Sequence, residues 1–147
     1  MRKIYVASSW RNQHQPSMIR ALRGMGHEVY DFRNPEPGDD GFRWSELDKN
    51  YQRWWDNPVE YVLSLEHPRA KDGYNKDFKA LNWADTCILL LPCGRSAHLE
   101  AGYAIGQGKL TAIFVAKEKF EPELMYKMAN LVTDDVNSIY TWLEQVK

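Results

Sequence analysis

Between Leu89 and Lys109 the chain reads LLLPCGRSAHLEAGYAIGQGK, and a single ionisable acid, Glu100, stands among its small residues. On a helix turning about 100° per residue, Ala97, Ala101, Ala104, Ile105 and Gly108 share one narrow face. Glu100 lies at its margin, about 40° from Ala104. That placement predicts a half-buried carboxylate leaning toward the helix N-terminus, where the helix dipole favours the ionised form. Such a group suits attack on an electrophilic carbon, for example the anomeric carbon of a sugar. The plainer reading is a glutamate that stabilises the first helical turns. If Ser96 caps the helix, a capping box would need its acid at the position of Leu99, so that explanation misses by one residue.

A second acid, Asp77, lies upstream in YNKDFKALNWAD. Read as a helix capped by Asn75, this segment puts Asp77 in the first turn, in register with Leu81 and Ala84 and so facing inward. There it can protonate or hydrogen-bond a leaving group. It can equally be a helix-start acid that complements the dipole. Asp85 reads as the end of that helix, bonded to backbone near the next strand.

Two short polar loops each carry one arginine: ASSWRN, with Ser8, Ser9 and Arg11, and PCGRSAH, with Gly94, Arg95 and Ser96. The second opens a helix, whose free N–H groups and partial positive charge make an anion site. Gly94 allows close backbone approach, Ser96 can cap, and Arg95 can make paired bonds to phosphate. An ordinary Ser-capped turn explains the same residues, and both readings stand.

The elements that must position these groups follow from hydrophobic periodicity. KIYVAS (Lys3–Ser8) reads as a buried strand, residues 14–25 as a helix ended by Gly24 and Gly26, and HEVYDF (His27–Phe32) as a second strand. This βαβ unit implies a parallel sheet. TCILLLP (Thr86–Pro92) is a continuous apolar run suited to mid-sheet. A helix over Ser96–Gln107 stopped by Gly108, a strand LTAIFVA, a helix around Pro122–Ala129, a short strand NLVTD and a C-terminal helix complete the pattern. In that last helix Ile139, Trp142, Leu143 and Val146 share one face.

The prediction is one domain over residues 1–147: a three-layer, doubly wound α/β fold of flavodoxin or Rossmann-like type with about five parallel strands. Between the second and third strands lies a mostly helical, aromatic-rich insertion, about 42–67, broken near Asn57-Pro58. Strand order 2-1-3-4-5 would set the ligand crevice between the first and third strands, beside both arginine loops.

Bulk properties narrow the function. A net charge of −1 argues against nucleic-acid polymers or anionic membranes as partners. With two cysteines and no CxxC pair, neither a disulfide framework nor a zinc site is expected, and a reducing cytoplasm is the default. No apolar run suggests a signal peptide or a membrane span. His14, His27, His67 and His98 show no metal spacing, so no metal is expected; His98 reads as a helix-surface residue. Cys93 lacks the Arg at position 99 that a phosphatase loop would need.

KIYVAS, then NKDFKALNWAD before an apolar strand, then SAHLEAGYAIGQGK resemble the nucleoside 2-deoxyribosyltransferase family, which includes the 2′-deoxynucleoside 5′-phosphate N-hydrolases. The similarity covers the first strand and residues 75–115. It implies that Glu100, in the E-x-G-x-A element with Gly102 and Ala104, is the nucleophile forming a glycosyl-enzyme intermediate. It matches Asp77 to the acid that assists the departing base. Transferases often carry an Asp six residues before the Glu; here Gly94 stands there with Arg95 next, which points away from free nucleosides. Ser9 and Arg11 look closer to the phosphate-reading loop of the hydrolase branch, whose members take nucleoside monophosphates without a metal. The family also completes its sites with a neighbouring subunit, implying a homo-oligomer.

The expected activity is therefore cleavage or transfer of the N-glycosidic bond of a nucleoside or nucleoside 5′-monophosphate, a small-molecule reaction without cofactor. Two alternatives share the fold: a nucleotide-binding sensor, and a TIR-like NAD glycohydrolase. For the aromatic tract, a subdomain core or oligomer interface is preferred over base stacking.

Overall fold

A computed structural model describes residues 1–118 and 120–146. The chain resolves into two compact units, Met1–Asp31 with Leu81–Lys147, and Phe32–Ala80.

The first unit is built on five parallel strands: β1 (Lys3–Ala7), β2 (Glu28–Tyr30), β3 (Thr86–Leu90), β4 (Leu110–Phe114) and β5 (Leu131–Thr133). Their order is β2-β1-β3-β4-β5, the order that sets the strand-order reversal between β1 and β3. Every residue of β3 is buried, as a central parallel strand requires. Strand alternation sorts side chains into two layers. Ile4, Val6, Ile88, Leu90 and Ala112 meet Met18, Ile19 and Leu22 of α1 (Gln15–Gly24) and Ile139 and Leu143 of α5 (Val136–Gln145). On the other face, α4 (Arg95–Gly106) lies along β1, β3 and β4 and buries Ala97, Ala101 and Ala104. Small residues let this helix approach the sheet closely. Gly26 and Gly108, both with φ in the left-handed region, end α1 and α4 where the N–H groups turn back onto the last helical carbonyls.

The second unit holds two 3₁₀ turns (Trp44–Glu46 and Tyr51–Trp55), helix α2 (Pro58–Ser64) and most of α3 (Pro68–Trp83). Only α2 is α-helical within the tract read as mostly helical. Around Trp44 the backbone follows ring packing instead: Trp44 sets its edge against Phe42, Trp54 and Tyr61 at centroid distances of 4.9, 5.7 and 5.8 Å. The break at Asn57-Pro58 is the start of α2, with Pro58 in the first turn.

Three expected boundaries are corrected. The helix expected to start at Asn75 begins at Pro68, so Asp77 is its tenth residue rather than a first-turn acid. Proline is pre-set for a first turn, and Gly73 lies inside the helix where Phe42 packs so closely that an added Cβ would stand 2.8 Å from the Phe42 Cβ. Second, α4 is capped by Gly94, not Ser96. Gly94 has extended backbone and no side-chain cap, and Ser96 is the second helical residue, exposed to solvent. Glycine costs only a few tenths of a kcal/mol relative to serine at a cap. Third, the helix expected over Pro122–Ala129 is a 3₁₀ turn at Leu124–Met128.

Candidate active site

The geometry starts at the carboxyl ends of β1 and β3, paired through Ala7 and Leu89. Just past β1, the Ser8 hydroxyl donates to the Leu90 carbonyl at 2.9 Å. Asn12, 1% exposed, donates from Nδ2 to the Leu90 and Pro92 carbonyls, both at 3.1 Å. Its Oδ1 accepts the His14 N–H at 2.8 Å, fixing the entry to α1. The two loops are thus tied together by side chains that satisfy the carbonyls left where β3 ends. Ser9 supports the loop too, its Oγ accepting the Arg11 N–H at 3.2 Å. Arg11, Gly94, Arg95 and Ser96 are all exposed on these neighbouring loops.

Glu100 is half-buried on the flank of α4, while its neighbour Leu99 takes the solvent side at 76% exposure. Its charge reaches β3 and the loop beyond. After burial, the Glu100 carboxylate is the next cause raising both the Cys87 and the Cys93 thiols. Cys93 is pushed up to about 12, so it stays a protonated, unreactive thiol. Glu100 is thus half-buried, as its margin position on the alanine face predicts.

The opposite flank of α4 carries His98, read from sequence as a surface residue. It is half-buried, with Nδ1 2.8 Å from the Gly94 carbonyl and Nε2 2.8 Å from the Tyr126 hydroxyl. A cavity of about 250 Å³ opens here, lined among others by Pro92, Cys93, His98, Phe120 and Tyr126. No local pattern marks this contact, because Tyr126 is 28 residues away. At the end of β2, the buried Gln15 donates to Asp31 at 2.7 Å, another pairing invisible to periodicity.

Asp77 belongs to the second unit. It follows Gly73 by one helical turn on the face of α3 that buries Ala70, Gly73 and Ala80, and is itself half-buried. Asp85 does as expected: its Oδ2 accepts the Lys3 N–H at 3.1 Å.

No protein-family model and no curated protein matches the chain. Solved structures do. A 2-deoxyribosyltransferase from the psychrotolerant bacterium Bacillus psychrosaccharolyticus is similar over 98% of this chain and 91% of its own, with a TM-score of 0.63 at 20% identity. The chain has the 2-deoxyribosyltransferase fold. A CMP N-glycosidase from Clostridium botulinum is similar over 96% of this chain and 97% of its own, with a TM-score of 0.50 at 15% identity. The Ser8–Asn12 loop and the turn at Gly94 follow β1 and β3, the two strands between which the strand order reverses. Among the described residues no cluster of His, Cys, Asp or Glu has the makings of a metal site, and no helix is long and apolar enough to cross a membrane.

Proposed function

We propose that this chain cleaves or transfers the N-glycosidic bond of a (deoxy)nucleoside or nucleoside 5′-monophosphate. The observation that carries the reading is the half-buried Glu100 on the flank of α4, on a fold shared with a deoxyribosyltransferase and a CMP N-glycosidase. Glu100 attacks the anomeric carbon, the bond to the base breaks, and its electron pair leaves with the base. Asp77, which the family resemblance matches to the acid assisting the departing base, supplies the proton the base takes up. Water or a second base then displaces the carboxylate from the sugar.

A phosphorylated substrate is favoured. Arg11 and Arg95 are exposed on neighbouring loops, and the free N–H groups of α4 open beside Arg95. Ser9, Gly94 and Ser96 complete the group that would hold phosphate or sugar, while Ser8 acts mainly as a tie to Leu90. The site needs no cofactor for this reaction, whose reacting groups are two carboxyls and the substrate. The chain is also proposed to self-associate. Trp55, Val59, Val62 and Leu63 stand exposed on and beside α2, and light scattering would give the assembly state directly.

The decisive experiment offers the protein matched nucleosides and 5′-monophosphates, with NAD alongside, and follows free base by chromatography. Base release with a preference for monophosphates is expected. Release from NAD alone would instead make it a TIR-like glycohydrolase. Tight binding without turnover would make it a nucleotide sensor.

A further inference from the structure

The cavity of about 250 Å³ on the His98 flank of α4 has no part in the proposed reaction. Its size and lining define what would fill it. Pockets for drug-sized ligands begin at about 300 Å³, so this one suits a single ring. Its walls are flat. Tyr126 and His98 form one of them. The two rings stack with centroids 5.8 Å apart, at 21° between planes. Phe120 adds another ring, left 45% exposed at the cavity, and Pro92 adds an apolar face. A ring bound there would cover the open Phe120 surface.

The polar groups of the lining are mainly acceptors. A carbonyl oxygen only accepts, so in the 2.8 Å contact between His98 Nδ1 and the Gly94 carbonyl the hydrogen sits on Nδ1. Nε2 of the neutral ring is then an acceptor, and the Tyr126 hydroxyl donates to it at 2.8 Å. That bond uses the single phenolic hydrogen and leaves the oxygen with lone pairs to offer a ligand. Burial first, and then Cys93, Glu123 and Glu121, keep the phenol protonated. Glu121 and Glu123 also line the cavity, and an ionised carboxylate only accepts. Cys93 contributes an uncharged thiol, a weak donor at most. Among the described residues that line the cavity there is no lysine or arginine. A ligand here must bring the hydrogens, and its charge must be positive.

We propose that this cavity binds a single flat aromatic ring that carries a cationic amidine or amine group. The ring lies against Phe120 and the Tyr126–His98 stack, and its N–H groups reach the Glu121 and Glu123 carboxylates and the Tyr126 oxygen. A cation gains twice from this lining, through charge-assisted hydrogen bonds and through attraction to the ring faces. The site is distinct from the groups assigned to the glycosidic reaction, and it stands whether or not Glu100 is a nucleophile.

Benzamidinium is the probe, with benzamide as the neutral isostere and benzoate as the anionic one. Each is titrated into the full chain while the signals of Cys93, His98, Phe120 and Tyr126 are followed by NMR. Benzamidinium should shift these signals and bind about tenfold more tightly than benzamide, the difference between a charged and a neutral hydrogen bond. Benzoate should leave them unmoved. Glu121→Gln combined with Glu123→Gln should abolish the preference for benzamidinium and leave benzamide affinity within about twofold. Tyr126→Phe keeps the ring but loses the acceptor, and benzamidinium should weaken by about fivefold. Phe120→Ala should weaken both ring ligands. Glu121, Glu123 and Phe120 are exposed, so these variants should keep the wild-type melting curve. Equal binding of benzamide and benzamidinium, tighter binding of benzoate, or a preference that survives the paired Gln changes would each overturn the site. So would shifts confined to residues outside the cavity, or no binding by any of the three probes.

Discussion

The two compact units are held together by different chemistry. In the sheet unit, aliphatic side chains from β1, β3, β4, α1 and α5 fill one continuous core. In the Phe32–Ala80 unit, cohesion comes from aromatic rings and an ion-pair hub. Arg69 bonds Glu46 at 2.7 Å and the Gly41 carbonyl at 2.8 Å, while its guanidinium covers the Phe42 ring. Lys76 reaches Asp39, Glu36 and Asp72 at 2.6, 2.9 and 3.0 Å. Area burial is non-directional and tolerates sliding, whereas edge-to-face rings and ion pairs demand particular partners. The sheet unit is therefore coded by pattern and the other unit by pairwise fit.

The largest expected effect tests whether the chemistry lives in the sheet unit. Glu100→Gln keeps size and hydrogen-bonding reach but loses the attacking anion. Base release should fall at least about a thousandfold, ~4 kcal/mol of transition-state stabilisation, with an unchanged melting curve. Retention of most activity would remove Glu100 as the nucleophile.

Next comes the ring cluster. Trp54 is 8% exposed and packs against Trp44, Tyr51 and Tyr61. Trp54→Ala should cost about 3 kcal/mol in denaturant unfolding, the range of large-to-small core changes. A loss under about 1 kcal/mol would show that the rings are surface decoration rather than a core.

Two glycine substitutions sharpen the contrast with opposite signs. At Gly73 a Cβ would lie 2.8 Å from the Cβ of Phe42, so Gly73→Ala should destabilise by about 1–3 kcal/mol despite alanine's helix propensity. At Gly102 of α4 nothing lies within 4 Å, so Gly102→Ala should stabilise by up to about 1 kcal/mol. Equal effects at the two sites would break the comparison.

The smallest effects follow pH. His27, which accepts the Arg2 N–H at Nδ1, is held below its ordinary value by burial first and by the N-terminal amine and Arg2 next. The unfolded chain takes that proton more readily, so the sheet unit should lose a little stability as pH falls from the ordinary histidine value through the lowered one. In the other unit, the Lys76 hydrogen bond chiefly lowers Asp39, and the Arg69 bond lowers Glu46 against its burial. Their contribution is present above the ordinary carboxylate range and is lost as pH falls through the lowered values. Amide exchange should therefore quicken around His27 before it quickens around Asp39.

What the sequence by itself determined is the part governed by local period and composition. The apolar run at Thr86–Leu90, the alanine face of α4 and the glycine stops at Gly26 and Gly108 each act within a few residues, and so the strands of the parallel sheet and the half-buried placement of Glu100 were legible. The start of α3 was not, because Gly73 carries a helix-propensity cost in the sequence, and the close approach of Phe42 that calls for a glycine there exists only in the fold. Nor was the cap of α4 legible, since Ser96 and Gly94 are both acceptable caps. The hydrogen bond from Tyr126 to His98 was hidden for the same reason as the ties from Asn12 to Leu90 and Pro92. Such contacts join residues far apart in the chain, and a hydrogen bond's geometry exists only once the fold has brought its donor and acceptor together.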